Sequence, residues 1–163
     1  MERKINDLIV PLIQLQITID APIDVVFDLS RSIDFHQITT AQTNEKAIAG
    51  KTSGFIEFNE TVTWKARHFG IYQTLTSKIT AFDRPYFFVD EQVKGAFKSF
   101  RHEHRFEVVD GKTQMTDLFE YHSPMGIIGQ LADLLFLKTY MLNFLVKRQK
   151  MTKAYAESGD VNI

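Results

Sequence analysis

Cysteine is absent from this 163-residue chain, so disulfides, cysteine-ligated zinc, iron–sulfur clusters and thiol nucleophiles are all excluded. Charge of one sign is also lacking. The 19 basic and 20 acidic residues leave a formal net charge of -1, which gives no general electrostatic reason to bind nucleic acid or an anionic membrane, although local basic patches are compatible with that sum. No stretch reaches the roughly 18 consecutive apolar residues of a membrane span, so no integral membrane segment is expected. The opening MERKINDLIVPLIQLQ has too short an apolar run for a signal peptide and no small-residue cleavage site, and a soluble, cytoplasmic protein is expected. A nucleophile elbow, a phosphate-binding glycine loop and a dinucleotide fingerprint are missing, and no cofactor is called for. With no repeats or low-complexity linkers, the length predicts a single domain over residues 1–157 and a frayed tail over 158–163.

What is present centres on FKSFRHEHRFEVVDGKTQMTDLFEY, Phe97 to Tyr121. Phe100, His102, His104, Phe106 and Val108 fall at every second position, with Arg101, Glu103, Arg105 and Glu107 between them, the period of a half-buried strand. Asp110-Gly111 is a dipeptide preferred in a two-residue type I′ turn, which demands positive φ at both positions. If Val109 faces Lys112, then Phe106 faces Met115, His104 faces Asp117, His102 faces Phe119 and Phe100 faces Tyr121, all on one side. A histidine and an aspartate would meet on an otherwise apolar face.

Ile13, Leu15, Ile17 and Ile19 mark the buried side of a first strand within Leu8 to Ile19, which Pro11 places at an edge or strand start. Asp20-Ala21-Pro22-Ile23-Asp24 reads as a helix entry, giving a short helix to about Ser30 and a second helical turn from Ser32. Lys46 to Ala49 is a candidate edge strand. From Phe55 the pattern is almost wholly β. Val62, Trp64, Ala66 and His68 alternate inward, Phe69-Gly70 turns the chain, and Ile71, Gln73, Leu75, Ser77, Ile79 and Ala81 return along the same face. On the next strand, Tyr86 to Val93, the alternation sets Phe87, Val89 and Val93 inward, and Glu91 with them. After Ser123-Pro124 the period becomes helical, from about Gly126 to about Ala156, with a bend near Gly129. Leu134-Leu135-Phe136-Leu137, with Tyr140 and Phe144, makes that helix apolar around more of its circumference than one sheet can cover; internal packing on the first helices is expected, with a homodimer or lipid-facing surface as the alternative.

A strand, two short helices, a run of antiparallel strands and a long terminal helix make an α+β domain. Its order of elements, with TVTWKARHFGIYQTLTSKITAFDRPYFFVDEQVKGAFKSFRHEHRF and TQMTDLFEYHSPMGIIG after it, resembles the SRPBCC or START-like superfamily, within it the cyclase/dehydrase-related bacterial proteins. The resemblance implies a helix-grip fold, a curved antiparallel sheet of six to seven strands wrapped around the long C-terminal helix. It also implies a cavity between sheet and helix, lined by Trp64, Phe87, Phe100, Phe119, Tyr121 and a helix face including Leu131, Leu135 and Leu142. That superfamily spans lipid carriers, steroid, flavonoid and quinone binders, aromatase/cyclases and ring-hydroxylase subunits, so it leaves function open.

The inward polar residues are His68, Gln73, Glu91, His102, His104, Asp117 and Tyr121. His104 with Asp117 reads first as a mutually satisfied pair, while His102, facing a phenylalanine, is the better candidate to touch a ligand. As acid–base groups, His102 or His104 would be oriented by Asp117 or Glu91. Two imidazoles and a carboxylate also suit zinc or iron, but His-x-His is common without metal and none is assigned. The leading expectation is binding or transport of a hydrophobic small molecule such as a lipid, quinone or polyketide-like aromatic. The alternatives are a cyclase or dehydrase using the inward His and carboxylate groups, and a partner-binding regulator.

Overall fold

The structure, a computed structural model, describes residues 10–124 and 126–159. Strand β1 (Leu12–Ile19) is followed by α1 (Ile23–Arg31), α2 (Ile33–Thr39), a short 3₁₀ turn (Ala41–Thr43) and edge strand β2 (Lys46–Gly50). Strands β3 (Thr61–His68), β4 (Ile71–Asp83), β5 (Phe87–Lys94), β6 (Ser99–Val109) and β7 (Lys112–His122) then meander. They form one antiparallel seven-stranded sheet in the order β1-β7-β6-β5-β4-β3-β2. The chain closes with α3 (Gly126–Ala132), a π-helical turn (Asp133–Leu137) and α4 (Lys138–Ser158). This is the helix-grip arrangement, with two short helices after the first strand. Residues 160–163, where most of the expected frayed tail falls, and Leu8 and Ile9 at the expected start of β1 lie outside the described residues.

The β6–β7 register is the one the Asp-Gly turn dictates. Val109 pairs with Lys112, Phe106 with Met115, His104 with Asp117, His102 with Phe119 and Phe100 with Tyr121. Asp110 and Gly111 take φ of 51° and 76°, and the β3–β4 turn repeats the solution with Phe69 and Gly70 at 52° and 78°. Helix α1 covers one end of the inner face: Phe27, fully buried, meets Phe82, Phe88 and Phe106 edge-on at 5.3–5.5 Å. Ser32 caps α2, accepting a 3.1 Å hydrogen bond from the Phe35 amide. Helix α4 lies across β1, α1 and α2, burying Leu145, Gln149, Thr152 and Ala156.

Three expectations need correction. In β4 the register shifts between Ile79 and Ala81, so Phe82, not Ala81, enters the core against Phe27. In β5, Phe88 pairs with His104 and Asp90 with His102, which places Phe88 and Asp90 inward. Phe87 and Glu91 therefore face outward; Glu91 lies 4.0 Å from Arg101 on the charged side. Apolar residues on both sides of FFVDEQV left its phase to the neighbouring register. Last, the surplus apolar surface of the terminal helix is only partly packed internally: Leu137 and Phe144 pack against the second core cluster, but Leu135 and Phe136 do not. Ile128, Leu131, Leu135 and Phe136 are between 57 % and 70 % exposed. The π turn adds a residue to one helical turn and so rotates the following face by roughly 100°, taking the α3 stripe out of line with the buried stripe of α4.

Candidate functional site

The inner ends of β3, β5, β6 and β7 face α4 across a cavity of about 270 Å³. One part of its wall is apolar: Trp64, Leu75, Phe97, Phe100, Phe119 and Phe144. The remainder is unusually polar for an interior. His36, Glu45, Asp90, His102 and Arg148 border it there, with Gln73, His68 and Tyr140 nearer the β3–β4 turn. His68 Nδ1 and the Tyr140 hydroxyl are 2.7 Å apart, and burial lowers the His68 pKa.

Asp117 is the best-anchored of these charges, sealed beneath the cavity on β7. His102 Nε2 donates to its Oδ1 at 2.9 Å, Gln149 of α4 donates its amide to Oδ2, and His104 Nδ1 approaches Oδ1 at 2.7 Å but off the line of a good hydrogen bond. Burial pushes this carboxyl up, but the His102 hydrogen bond and the close His104 imidazole overcome it and hold the group well below the usual carboxylate range. The His102 and His104 rings sit 3.8 Å apart between centroids. His102, buried and beside a second imidazole, is pushed down to about 4 despite its bond to Asp117. The direct bond thus goes to the diagonal histidine, not to the cross-strand partner, His104.

Asp90 is the contrasting carboxylate. Its Oδ1 is buried with no hydrogen-bond partner among the described residues, and burial pushes the group up to about 6 against the lowering effect of Ser77, His102 and Arg148. Opposite it, Arg148 brings a guanidinium in from α4 with its Nε buried and unpartnered among the described residues. Burial lowers its pKa, and Glu45, Asp117 and Asp90 oppose that from a distance. His36 stacks on Trp64 at 4.1 Å and lies 3.2 Å from Glu45. Burial and the Arg148 charge keep this imidazole neutral-favouring, while the His36 contact outweighs burial at Glu45 and lowers that carboxyl.

His102 Nε2, His104 Nδ1 and a carboxylate oxygen of Asp117 are within 4.8 Å of one another, a donor set suited to zinc or iron. Asp117 already accepts from His102 and Gln149, so Asp117, His102 and Gln149 form a closed hydrogen-bonded group with His104 beside it.

Of the residues expected from sequence, Trp64, His68, Gln73, Phe100, His102 and Phe119 border the cavity. His104 lies behind it, against a much smaller space beneath α1 and α2, and Tyr121 is fully buried among Phe97 and Phe119. Phe87 and Glu91 are on the opposite side of the sheet, and Leu131, Leu135 and Leu142 point away from the cavity. The helix instead contributes Leu137, Tyr140, Met141, Phe144, Leu145 and Arg148. Arg148 had a readable signal, since it falls at the three- and four-residue spacing of Met141, Leu145 and Thr152 and so puts a cation on the inward face. Glu45 and His36 had none, because the polar segment that carries Glu45 has no period.

No protein-family model matches the sequence. No curated protein matches it either. Solved structures do. The chain superposes on TTHA0849 from Thermus thermophilus with a TM-score of 0.74 at 15% identity, covering 92% of this chain and 99% of that one. Major latex-like protein 151 from Panax ginseng gives 0.66 at 18%, covering 90% and 97%, and protein Ms6760 from Mycobacterium smegmatis gives 0.64 at 14%, covering 88% of each. Identities this low establish the fold alone, and that fold agrees with the resemblance to the SRPBCC superfamily.

Proposed function

We propose that this helix-grip protein binds, and carries or presents, a small hydrophobic molecule in the cavity between its sheet and α4. The single observation behind this reading is the space of about 270 Å³ whose wall includes the aromatic residues Trp64, Phe97, Phe100, Phe119 and Phe144, with ionisable groups along another part of the wall. Protein interiors ordinarily close voids larger than a water molecule, because each unfilled wall forfeits dispersion contacts. Apolar walls with a few convergent polar groups are the usual anatomy of a ligand pocket. A lipid fragment, quinone or polyketide-like aromatic with one polar end suits that division. Native mass spectrometry of the purified protein, followed by denaturing extraction, tests it: one equivalent of an apolar molecule is expected, retained by the wild type and lost from Ala66→Trp, which fills the cavity. Recovery of no apolar molecule, together with failure of a solvatochromic naphthalene dye to bind, would overturn it.

One observation favours a second reading, an enzyme. Asp90, pushed up to about 6, and His102, pushed down to about 4, both border the apolar cavity, so between about pH 4 and about pH 6 a protonated carboxyl stands beside a neutral imidazole, an acid and a base that can exchange protons with a bound substrate. A cyclisation or dehydration would then use Asp90, not Glu91, with His102. Turnover of a polyketide-like substrate that survives in both Asp90→Asn and His102→Gln would exclude those roles.

A further inference from the structure

The exposed apolar face of α3 and the π turn belongs to a larger surface at the cavity's opening. Ile128, Leu131 and Leu135 recur at the three- and four-residue spacing of one helix face, with Phe136 beside them, and all four are exposed. At the β3–β4 turn, Phe69 and Ile71 are each 64 % exposed, and the Phe69 ring lies 4.7 Å from Tyr140 at the start of α4. Phe69 and Tyr140 both border the cavity, as do Ala96 and Phe97 of the β5–β6 loop and Pro124 before α3. Two separate elements thus present large apolar side chains around one opening, where a soluble domain ordinarily shows only scattered ones.

Charge selects the occupant. The three segments that frame the opening, residues 67–72, 93–99 and 122–142, contain Arg67, Lys94, Lys98 and Lys138 against a single acid, Asp133. All four cations are exposed. The rest of the chain is acidic in balance, since the whole carries -1. An apolar helix face and an aromatic hairpin tip ringed by lysine and arginine match the interface of an anionic bilayer, whose acyl boundary takes the apolar side chains while its phosphates take the cations. A second copy of this chain would instead set one cationic rim against another. We propose that this end of the molecule docks on anionic membrane surfaces, with Ile128, Leu131, Leu135, Phe136 and the tip of the β3–β4 hairpin entering the interface.

The docking surface stands apart from whatever the cavity holds, so its test needs no ligand. Co-sedimentation with vesicles of phosphatidylcholine alone, and with vesicles in which about a third of the lipid is phosphatidylglycerol, reads it directly. Wild-type protein is expected in the pellet with anionic vesicles, several-fold less with neutral ones, and less again as salt is raised. Leu131→Ser with Phe136→Ser should reduce the bound fraction about tenfold with an unchanged melting temperature, because both side chains are already exposed and neither borders the cavity. Lys98→Glu with Lys138→Glu should remove the preference for anionic lipid. No sedimentation with either vesicle, or serine variants that bind like wild type, would overturn the proposal. So would a wild-type dimer in sedimentation velocity that the serine variants convert to monomer, since a second copy would then cover the face.

Discussion

Asp90 and His102 pair across β5 and β6, and burial acts on them in opposite directions. Between about pH 6.5 and about pH 4 the unfolded chain protonates His102 while the folded protein does not, so this residue lowers stability as pH falls through that window. Asp90 does the reverse: between about pH 4 and about pH 6 the folded protein holds the proton and the unfolded chain releases it, so its contribution falls as pH rises. The two slopes largely offset each other in the wild type. Relative to wild type, Asp90→Asn should therefore lose stability on going from about pH 6.5 to about pH 4.5, and His102→Gln should gain it over the same change. Urea midpoints at the two pH values measure both, and parallel behaviour of the three proteins would show that burial does not hold these groups as described. Asp117 acts lower on the scale. Its depressed pKa supplies stability that is complete above the unfolded value near 4 and is lost as pH falls below it, so the steep acid limb should shrink in Asp117→Asn.

Helix α1 is attached to the sheet through Phe27, whose ring is edge-on to three others and fully buried. Phe27→Ala should cost about 3–5 kcal/mol and lower the melting temperature by roughly 10 °C, readable by circular dichroism. Ser32→Ala, which deletes the cap of α2, should cost only about 1 kcal/mol. Elements with a local cause of register could be read from the sequence, and elements without one could not. The Asp110-Gly111 turn permits one hairpin geometry, so every pair from Phe100 to Met115 followed from it, Asp117 on the inner face included. β5 has no such pin. Its two-sided apolar pattern is phased by β6 and by the register shifts in β4, neither of which is marked by a glycine or proline, and the polar residue turned inward proved to be Asp90, not Glu91. The π turn is likewise unmarked, so a helix read at constant pitch assigned Leu131 and Leu135 to the cavity when they face outward.

At the scale of the whole molecule, the sheet and α4 meet closely at the α1 end and stand apart at the other, where the aromatic walls are left facing one another. Unfilled apolar wall withholds stability that a well-shaped occupant restores, and an occupant that binds only the folded state adds RT ln(1 + [L]/Kd). At a hundredfold excess over Kd this is about 2.7 kcal/mol, which in a chain of this length corresponds to a rise of roughly 5–10 °C in melting temperature. Trp64 borders the cavity and is the sole tryptophan, so its emission should shift at the same ligand concentration that raises the melting temperature. Ala66→Trp should abolish the thermal shift by occupying the space, whereas Leu131→Ser with Phe136→Ser should keep it, because those side chains lie outside the cavity. The pair of variants therefore separates holding a ligand from reaching a membrane. A thermal shift that survives Ala66→Trp would place the ligand elsewhere on the molecule, and one lost in the serine variants would mean that the helix face closes over the cavity when it fills.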